Sequence, residues 1–147
     1  MKKINFIIAF IVLFSSNSCF SQKLVQKEND IQKIEDNKAR FIGKPLKNLL
    51  QEIKPPIKRV MAQPSVNIYS YVGNFIFNFV DSKQKDSLRS KDKIPVTLVV
   101  FVKENFDWDF QKRPKGKETI WTSEDVKKYE NLTIVGFRIY GDATAAN

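Results

Sequence analysis

The sequence predicts an α+β fold with two N-terminal helices, a largely antiparallel sheet of about four to five strands, and one further short helix before the last strand. Near the N-terminus, apolar residues recur at helical spacing, as in LKNLLQEI at residues 46–53. Toward the C-terminus they alternate or run continuously, as in FIFNFV at residues 75–80 and PVTLVVFV at residues 95–102. This change of period along one short chain favours helices packed on one face of a sheet.

The two helices come first. Apolar residues at spacings of three, seven and eight predict the first helix over residues 24–42, where Asp36 and Arg40 lie one turn apart with the acid first. Gly43 supplies a stop for this helix, and Pro45 supplies a start for the second. The second helix ends at the proline pair of residues 55–56, which cannot continue the hydrogen-bond ladder.

Strands fill most of the remaining chain. A weak strand at residues 57–61 precedes three stronger ones at residues 73–81, 95–104 and 132–140, which are rich in β-branched and aromatic residues. Before the last of them, Thr122 or Ser123 caps a short helix that carries acids in its first turn.

The first 21 residues have the anatomy of a secretory signal peptide. Lys2 and Lys3 precede an apolar run at residues 4–14, about half of the ~20 residues that a membrane-spanning helix needs. Cleavage after Ser21 would put small residues at the two positions that signal peptidase reads. We therefore expect an exported protein, periplasmic or secreted, whose mature form has no transmembrane span.

Cys19 leaves an alternative open. Ser18 supplies the small residue that precedes a lipidated cysteine, but Ser16 stands where a lipoprotein signal usually has a Leu-like residue. Lipidation at Cys19 would make the protein an outer-membrane lipoprotein, whereas cleavage after Ser21 removes the chain's only cysteine. We expect cleavage, which leaves a single α+β domain at residues 22–147.

The composition excludes much catalytic chemistry. The chain has no histidine and one cysteine, so it holds no Ser-His-Asp triad, Cys-His pair or His-based zinc site. Neither of the common Gly-rich phosphate loops occurs. We expect a protein that is not an enzyme and that uses no cofactor and no metal. Its formal charge of +9 falls to +7 when Lys2 and Lys3 are removed with the signal peptide.

Residues 104–121 hold the main candidate binding site. Asp107 and Asp109 alternate with aromatic residues, so an extended conformation would put both carboxylates on one face, about 7 Å apart. An exposed Trp beside carboxylates suits sugar binding, because the ring stacks on C–H surface while the acids accept hydroxyl hydrogen bonds. The candidate binding residues are Trp108, Trp121, Asp107, Asp109, Lys112, Arg113, Lys115 and Lys117.

Three other interpretations of this segment stay open. Trp108 can be a core anchor with Asp107 and Asp109 facing solvent on an edge strand. The same acids with Glu104 and Asn105 can supply oxygen ligands for calcium, although the full calcium-loop pattern is absent. A hydrolase that uses the paired carboxylates is the third alternative.

Cations concentrate in three stretches, at residues 54–59, 82–93 and 111–117. Such stretches can bind an anionic polymer, which in an exported protein would be a glycan of the cell envelope rather than genomic nucleic acid. They can equally be solvated loops, since acids are interspersed. In the second stretch, which we interpret as an exposed polar loop, Ser87 lies in a DSL triplet that resembles the acceptor of some bacterial O-glycosylation systems.

The stretch FIGKPLKNLLQEIKPPIK at residues 41–58 is similar to small uncharacterised exported bacterial proteins, a resemblance that implies no function. The element order also resembles envelope modules of the β-lactamase-inhibitor type, by fold analogy alone. The residues together favour an exported, non-catalytic binding domain for an anionic glycan or another envelope partner. The alternative is a structural accessory protein of the envelope that pairs through a sheet edge.

Overall fold

The computed structural model describes residues 22–64 and 73–142. The predicted signal peptide, with Cys19 and the cleavage site, lies outside the described residues. The elements within these ranges are α1 (Gln32–Asp36), α2 (Leu46–Gln51), β1 (Arg59–Gln63), β2 (Gly73–Asn78), α3 (Ser82–Arg89), β3 (Thr97–Val102), α4 (Ser123–Tyr129) and β4 (Ile134–Tyr140). None of the described helices is long and apolar enough to cross a membrane.

The four strands form one antiparallel sheet in the order β1-β2-β3-β4, so each strand pairs with the one that precedes it. Two short helices come before the sheet, and α4 comes directly before β4. The predicted α+β class is therefore confirmed, with helical elements before the sheet and one helix before its last strand. The weak strand predicted at residues 57–61 corresponds to β1, which begins and ends two residues later.

One face of the sheet forms the core. Phe75 and Phe77 alternate along β2 and pair with Val100 and Leu98 of β3, and all four side chains are fully buried. Leu46, on α2, is among the buried residues that pack in the same cluster. Alternation along β2 puts every second side chain on this face, which is the reason that the Phe repeat predicts the strand.

The N-terminal segment differs from its prediction as one long helix. Within residues 24–42 the structure has only α1 and two 3-10 turns, Glu28–Ile31 and Lys38–Arg40. Asn37 interrupts the helix because its side chain donates a hydrogen bond back to the carbonyl oxygen of Lys33 and its backbone leaves the helical region. The predicted Asp36–Arg40 pair is consequently wrong: Arg40 pairs with Glu52, at 3.2 Å.

This segment is fastened to the far edge of the sheet. Gly43 N donates to Ile134 O at 2.7 Å, and Ile134 N donates to Lys44 O at 2.9 Å. Lys38 Nζ also reaches the carbonyl oxygen of Phe137 at 3.4 Å. Residues near the start of the domain therefore occupy part of the outer edge of β4.

Residues 82–89 form a helix, so their prediction as part of a polar loop is wrong. Asp81 caps α3 by accepting a hydrogen bond from Gln84 N at 2.9 Å, while the Gln84 side chain accepts one from Asp81 N at 3.0 Å. Leu88 is the one fully buried side chain of this helix, and it packs on Val80 apart from the main core. With so little apolar periodicity, the cap was the only helix signal in the sequence.

Candidate functional site

An aromatic cluster underlies the predicted binding segment, and Phe75 lies at its centre. The Phe75 ring centroid is 4.5 Å from that of Phe106, in a stacked arrangement, and 5.2 Å from that of Tyr129. Trp108 and Trp121 approach the same ring edge-on, with centroid distances of 6.3 and 5.8 Å. Aromatic pairs at these distances stabilise one another beyond simple burial. Both tryptophans, each half-buried, are therefore anchored to the core.

Arg113 covers the Trp108 ring on the outside. Its guanidinium carbon lies 4.1 Å from the centre of that ring, close enough for a cation–π interaction. The same guanidinium donates to both carboxylate oxygens of Asp125, at 2.8 and 2.9 Å, and to Ile120 O at 2.6 Å. This bidentate pair is largely buried, with exposed side-chain fractions of 17% for Arg113 and 8% for Asp125. A group held by so many contacts is pre-organised, and it occupies a ring face that a sugar would need.

Asp125 also caps the helix that carries it. Its carboxylate accepts hydrogen bonds from Thr122 N and Thr122 Oγ1, both at 2.8 Å, and Asp125 N donates to Thr122 Oγ1. Burial alone would raise the pKa of Asp125, but the hydrogen bonds from Arg113 and Thr122 outweigh burial and hold that pKa below its usual value. The carboxylate is therefore ionised at neutral pH and contributes to structure.

A shallow groove of about 290 Å³ opens beside this pair. Five of the eight predicted binding residues line it, and Trp121, Lys115 and Lys117 do not. Four further lining residues were not predicted, Glu124, Asp125, Lys128 and Tyr129. These residues come from α4. The i, i+4 spacing of Asp125 and Tyr129 puts those two side chains on one face of the helix. The lining residues predicted from the sequence are Asp107, Trp108, Asp109, Lys112 and Arg113.

Asp107 and Asp109 lie in no strand, so the edge-strand alternative for these two acids is wrong. Residues 105–109 form no strand, and Phe110–Lys112 is a 3-10 turn with Asp109 as its N-cap. Asp109 accepts a hydrogen bond from Gln111 N and pairs with Lys112 Nζ at 2.9 Å. These contacts, led by the hydrogen bond with Lys112, lower the pKa of Asp109. The alternation of aromatic and acidic residues in this segment is that of a loop that packs its aromatic rings on the core. Tyr129 Oη and Lys128 Nζ hold this loop by donating hydrogen bonds to Asp107 O.

The acids of this segment form no metal site among the described residues. Glu104 is used elsewhere, because its two carboxylate oxygens accept hydrogen bonds from Thr133 Oγ1 and Thr133 N, both at 2.6 Å. The hydrogen bond from the Thr133 side chain has the largest effect on the pKa of Glu104, and together with the bond from the Thr133 backbone it lowers that pKa. Glu104 thus holds the turn that precedes β4.

A second charged region lies where β1 meets α3, and we call Arg59, Lys85 and Arg89 the basic cluster. The register of β1 and β2 pairs Arg59 with Asn78, three residues before the cap of α3. Lys85 and Arg89 lie one turn apart on that helix. Partial burial of Lys85 lowers its pKa, and the positive charges of Arg89 and Arg59 lower it further. Parts of two predicted basic stretches, residues 54–59 and 82–93, thus come together.

The cations of the basic cluster make no salt bridge with any carboxylate in the described part of the chain. Asp86 is the one acid whose charge favours the protonated form of Lys85. Ser87, the predicted modification site, lies between Lys85 and Arg89 on α3 and is exposed. It therefore lies on a helix instead of in the predicted loop.

Comparison with protein-family models, with curated proteins and with the solved structures finds no match for this chain. The resemblance to small exported bacterial proteins stays a prediction.

Proposed function

We propose that the protein is a non-catalytic binding domain that holds an anionic glycan of the cell envelope on its basic cluster. The observation that carries the proposal is the placement of three cations at one end of the sheet: Arg59 pairs with Asn78, three residues before the cap of α3, and Lys85 and Arg89 lie one turn apart on that helix. Burial of Lys85 and, after it, the charges of Arg89 and Arg59 lower the pKa of Lys85. Like charges held together cost folding free energy, and a polyanion bound across them would relieve that cost.

The surroundings of the cluster extend the same charge. Residues 81–93 carry five cations against three acids, and Lys58 precedes Arg59 on the approach to β1. Most of these side chains are exposed, so they can contact a long ligand without rearrangement. A polymer with regularly spaced negative charges would contact several of them at once and release counterions as it binds.

The groove beside α4 supports the proposal less well. Two of its three cations are already paired with acids, Arg113 with Asp125 and Lys112 with Asp109. The four acids in its lining, against three cations, also make it unfavourable for an anion. We assign to this groove the role of fixing residues 104–121 on the core.

Assembly through a sheet edge also has less support than glycan binding. On the outer side of β1, Val60 N donates to Thr119 O at 2.7 Å. On the outer side of β4, Ile134 bonds to Gly43 and Lys44. Each edge therefore has part of its hydrogen-bonding capacity filled by the protein itself, which leaves less for another chain.

Salt-dependent retention on heparin, a soluble anionic polysaccharide, tests the proposal. The double variant K85Q/R89Q removes two cations from the cluster, and K115Q/K117Q removes two from an exposed turn elsewhere. We expect K85Q/R89Q to elute at clearly lower salt and to lower the slope of log affinity against log salt by about two, one for each lost contact. We expect K115Q/K117Q to elute close to wild type.

Equal losses in the two variants would mean that net charge alone drives retention, and would overturn the assignment to the cluster. Retention of the wild type no better than that of a neutral protein would overturn anionic-polymer binding altogether. Thermal unfolding of both variants, followed by circular dichroism, checks that each is folded.

A further inference from the structure

We propose that the face of the sheet opposite the core binds the acyl chains of an anionic amphiphile whose headgroup sits on the basic cluster. The proposal rests on the proposed function, because it uses the same basic cluster, and it names an anionic lipid as the ligand that would span the cluster and the open face. Three observations carry it: the apolar row across this face, its arginines, and the position of α3 beside it.

The strand register defines this open face. Met61 pairs with Ile76, Ile76 with Val99, and Val99 with Arg138. Directly opposed residues in an antiparallel sheet point to the same side, so these four side chains form one row across all four strands. The row alternates with the buried row that contains Val60 and Phe77, and it therefore lies on the other face.

Apolar surface on the open face is accessible. Met61 is 47% exposed and Tyr140 is 48% exposed. Ile76, Val99 and Phe101 are partly exposed, and none of the three belongs to the core formed on the opposite face. A row of apolar side chains at the centre of a sheet, left outside the core, is a binding surface for apolar ligand atoms.

The charge on the open face selects the ligand. Arg59 and Arg138 lie on it, at opposite edges of the sheet, and no strand position on this face within the described residues is an acid. A second copy of the chain packed face to face would bring arginines toward arginines, whereas an anionic amphiphile would meet complementary charge. Apolar centre and cationic rim are the arrangement that suits acyl chains joined to an acidic headgroup.

The helix α3 connects this face to the basic cluster. Arg59 lies on the open face opposite Asn78, which is two residues before Val80, the residue on which α3 packs. The contact between Val80 and Leu88 holds α3 at this end of the sheet. A headgroup bound by Lys85 and Arg89 would thus lie at one end of the apolar row.

Co-sedimentation with vesicles tests the inference. The protein is titrated with vesicles of phosphatidylglycerol and phosphatidylcholine, and in parallel with phosphatidylcholine alone. The variant M61Q/V99T makes two positions of the apolar row polar, and I42Q/I120T does the same to two exposed apolar residues outside the open face. Heparin retention is measured for each variant, since heparin carries the negative charge without acyl chains.

We expect wild type to bind the anionic vesicles and to leave the neutral ones in solution. M61Q/V99T should bind the anionic vesicles at least fivefold more weakly with heparin retention unchanged, and I42Q/I120T should match wild type in both. K85Q/R89Q should lose affinity for vesicles and heparin alike, by about fivefold per cation for vesicles. Soluble glycerol phosphate in excess should displace little protein, because it offers the headgroup alone.

The two proposals fail separately. Vesicle affinity of M61Q/V99T equal to that of wild type and of I42Q/I120T would overturn the role of the open face, while heparin retention would still stand. Absence of wild-type binding to anionic vesicles, with heparin retention intact, would overturn the lipid ligand. Heparin retention that is insensitive to K85Q/R89Q would overturn the proposed function itself.

Discussion

Arg113, in the groove beside α4, is held by two hydrogen bonds to one carboxylate, whereas Lys85, on α3, is repelled by Arg89 and Arg59 and attracted, among the described residues, by Asp86 alone. The first cation is largely buried and its charge is paired with that of Asp125, so the charge serves the fold. The second is kept among like charges and has no salt bridge to an acid within the described ranges. Repulsion of this kind destabilises the compact state, so the charge of Lys85 does not serve the fold as that of Arg113 does.

The largest effect is expected from breaking the paired region. Asp125→Asn removes the charge that neutralises Arg113. It also replaces one carboxylate oxygen, which accepts hydrogen bonds, with an NH2 group that faces the donors of Arg113 or Thr122. We expect the free energy of unfolding to fall by about 2–4 kcal/mol, because one partner of a largely buried pair is left uncompensated. Urea denaturation at neutral pH measures it. Asp107→Asn, an exposed acid of the same groove, is the control, and a similar loss there would contradict the assignment.

Acid should weaken the same region. The folded-state pKa of Asp125 lies below its unfolded value, so its contribution to stability is present above the ordinary carboxyl pKa of about 4 and is lost as the pH falls through the folded pKa. Urea denaturation between pH 7 and pH 3 should therefore show declining stability, with a smaller decline in Asp125→Asn. Parallel declines in the two proteins would show that other carboxyls are responsible.

A smaller loss is expected at the cap that positions Asp125. Thr122→Ala removes the hydroxyl that accepts from Asp125 N and donates to its carboxylate. Loss of an N-cap hydroxyl typically costs about 1 kcal/mol, and we expect a loss of that size in thermal or urea unfolding. Ser123→Ala, at the next residue, is the matched control and should change little.

The smallest effect should have the opposite sign. Lys85→Gln removes a cation that Arg59 and Arg89 repel. We therefore expect the free energy of unfolding to rise by a few tenths of a kcal/mol, the size typical of like-charge pairs one helical turn apart. Lys83→Gln, on the same helix, should leave the stability unchanged. A destabilised Lys85→Gln variant would show that its aliphatic stem matters more than its charge.

The spacing of apolar residues predicted the fold class correctly where an element buries one face, because one-sided burial gives the sequence a regular period. The Phe repeat of β2 and the Leu stripe of α2 were read correctly because each element buries one face. The same reasoning failed at Trp108, whose alternation with Asp107 and Asp109 is that of a loop packed on Phe75.

The charged regions were less accessible to prediction. Arg113 and Asp125 are twelve residues apart and meet only because a turn brings them together. Arg59 reaches Lys85 through the pairing of β1 with β2 and the turn that starts α3, and neither contact leaves a mark in the local sequence. The cap formed by Asp81 and Gln84, by contrast, is a local sequence signal for α3.

The attachment of the N-terminal segment to β4 has a consequence for the order of folding. Each strand can pair with its predecessor as soon as both are made, but Gly43 and Lys44 bond to Ile134, about ninety residues further along the chain. Contacts of such long sequence separation carry a high loop-closure cost and form late. Residues 22–53 therefore form their hydrogen bonds with β4 only after that final strand has joined the sheet. A chain that stopped before β4 would lack these hydrogen bonds.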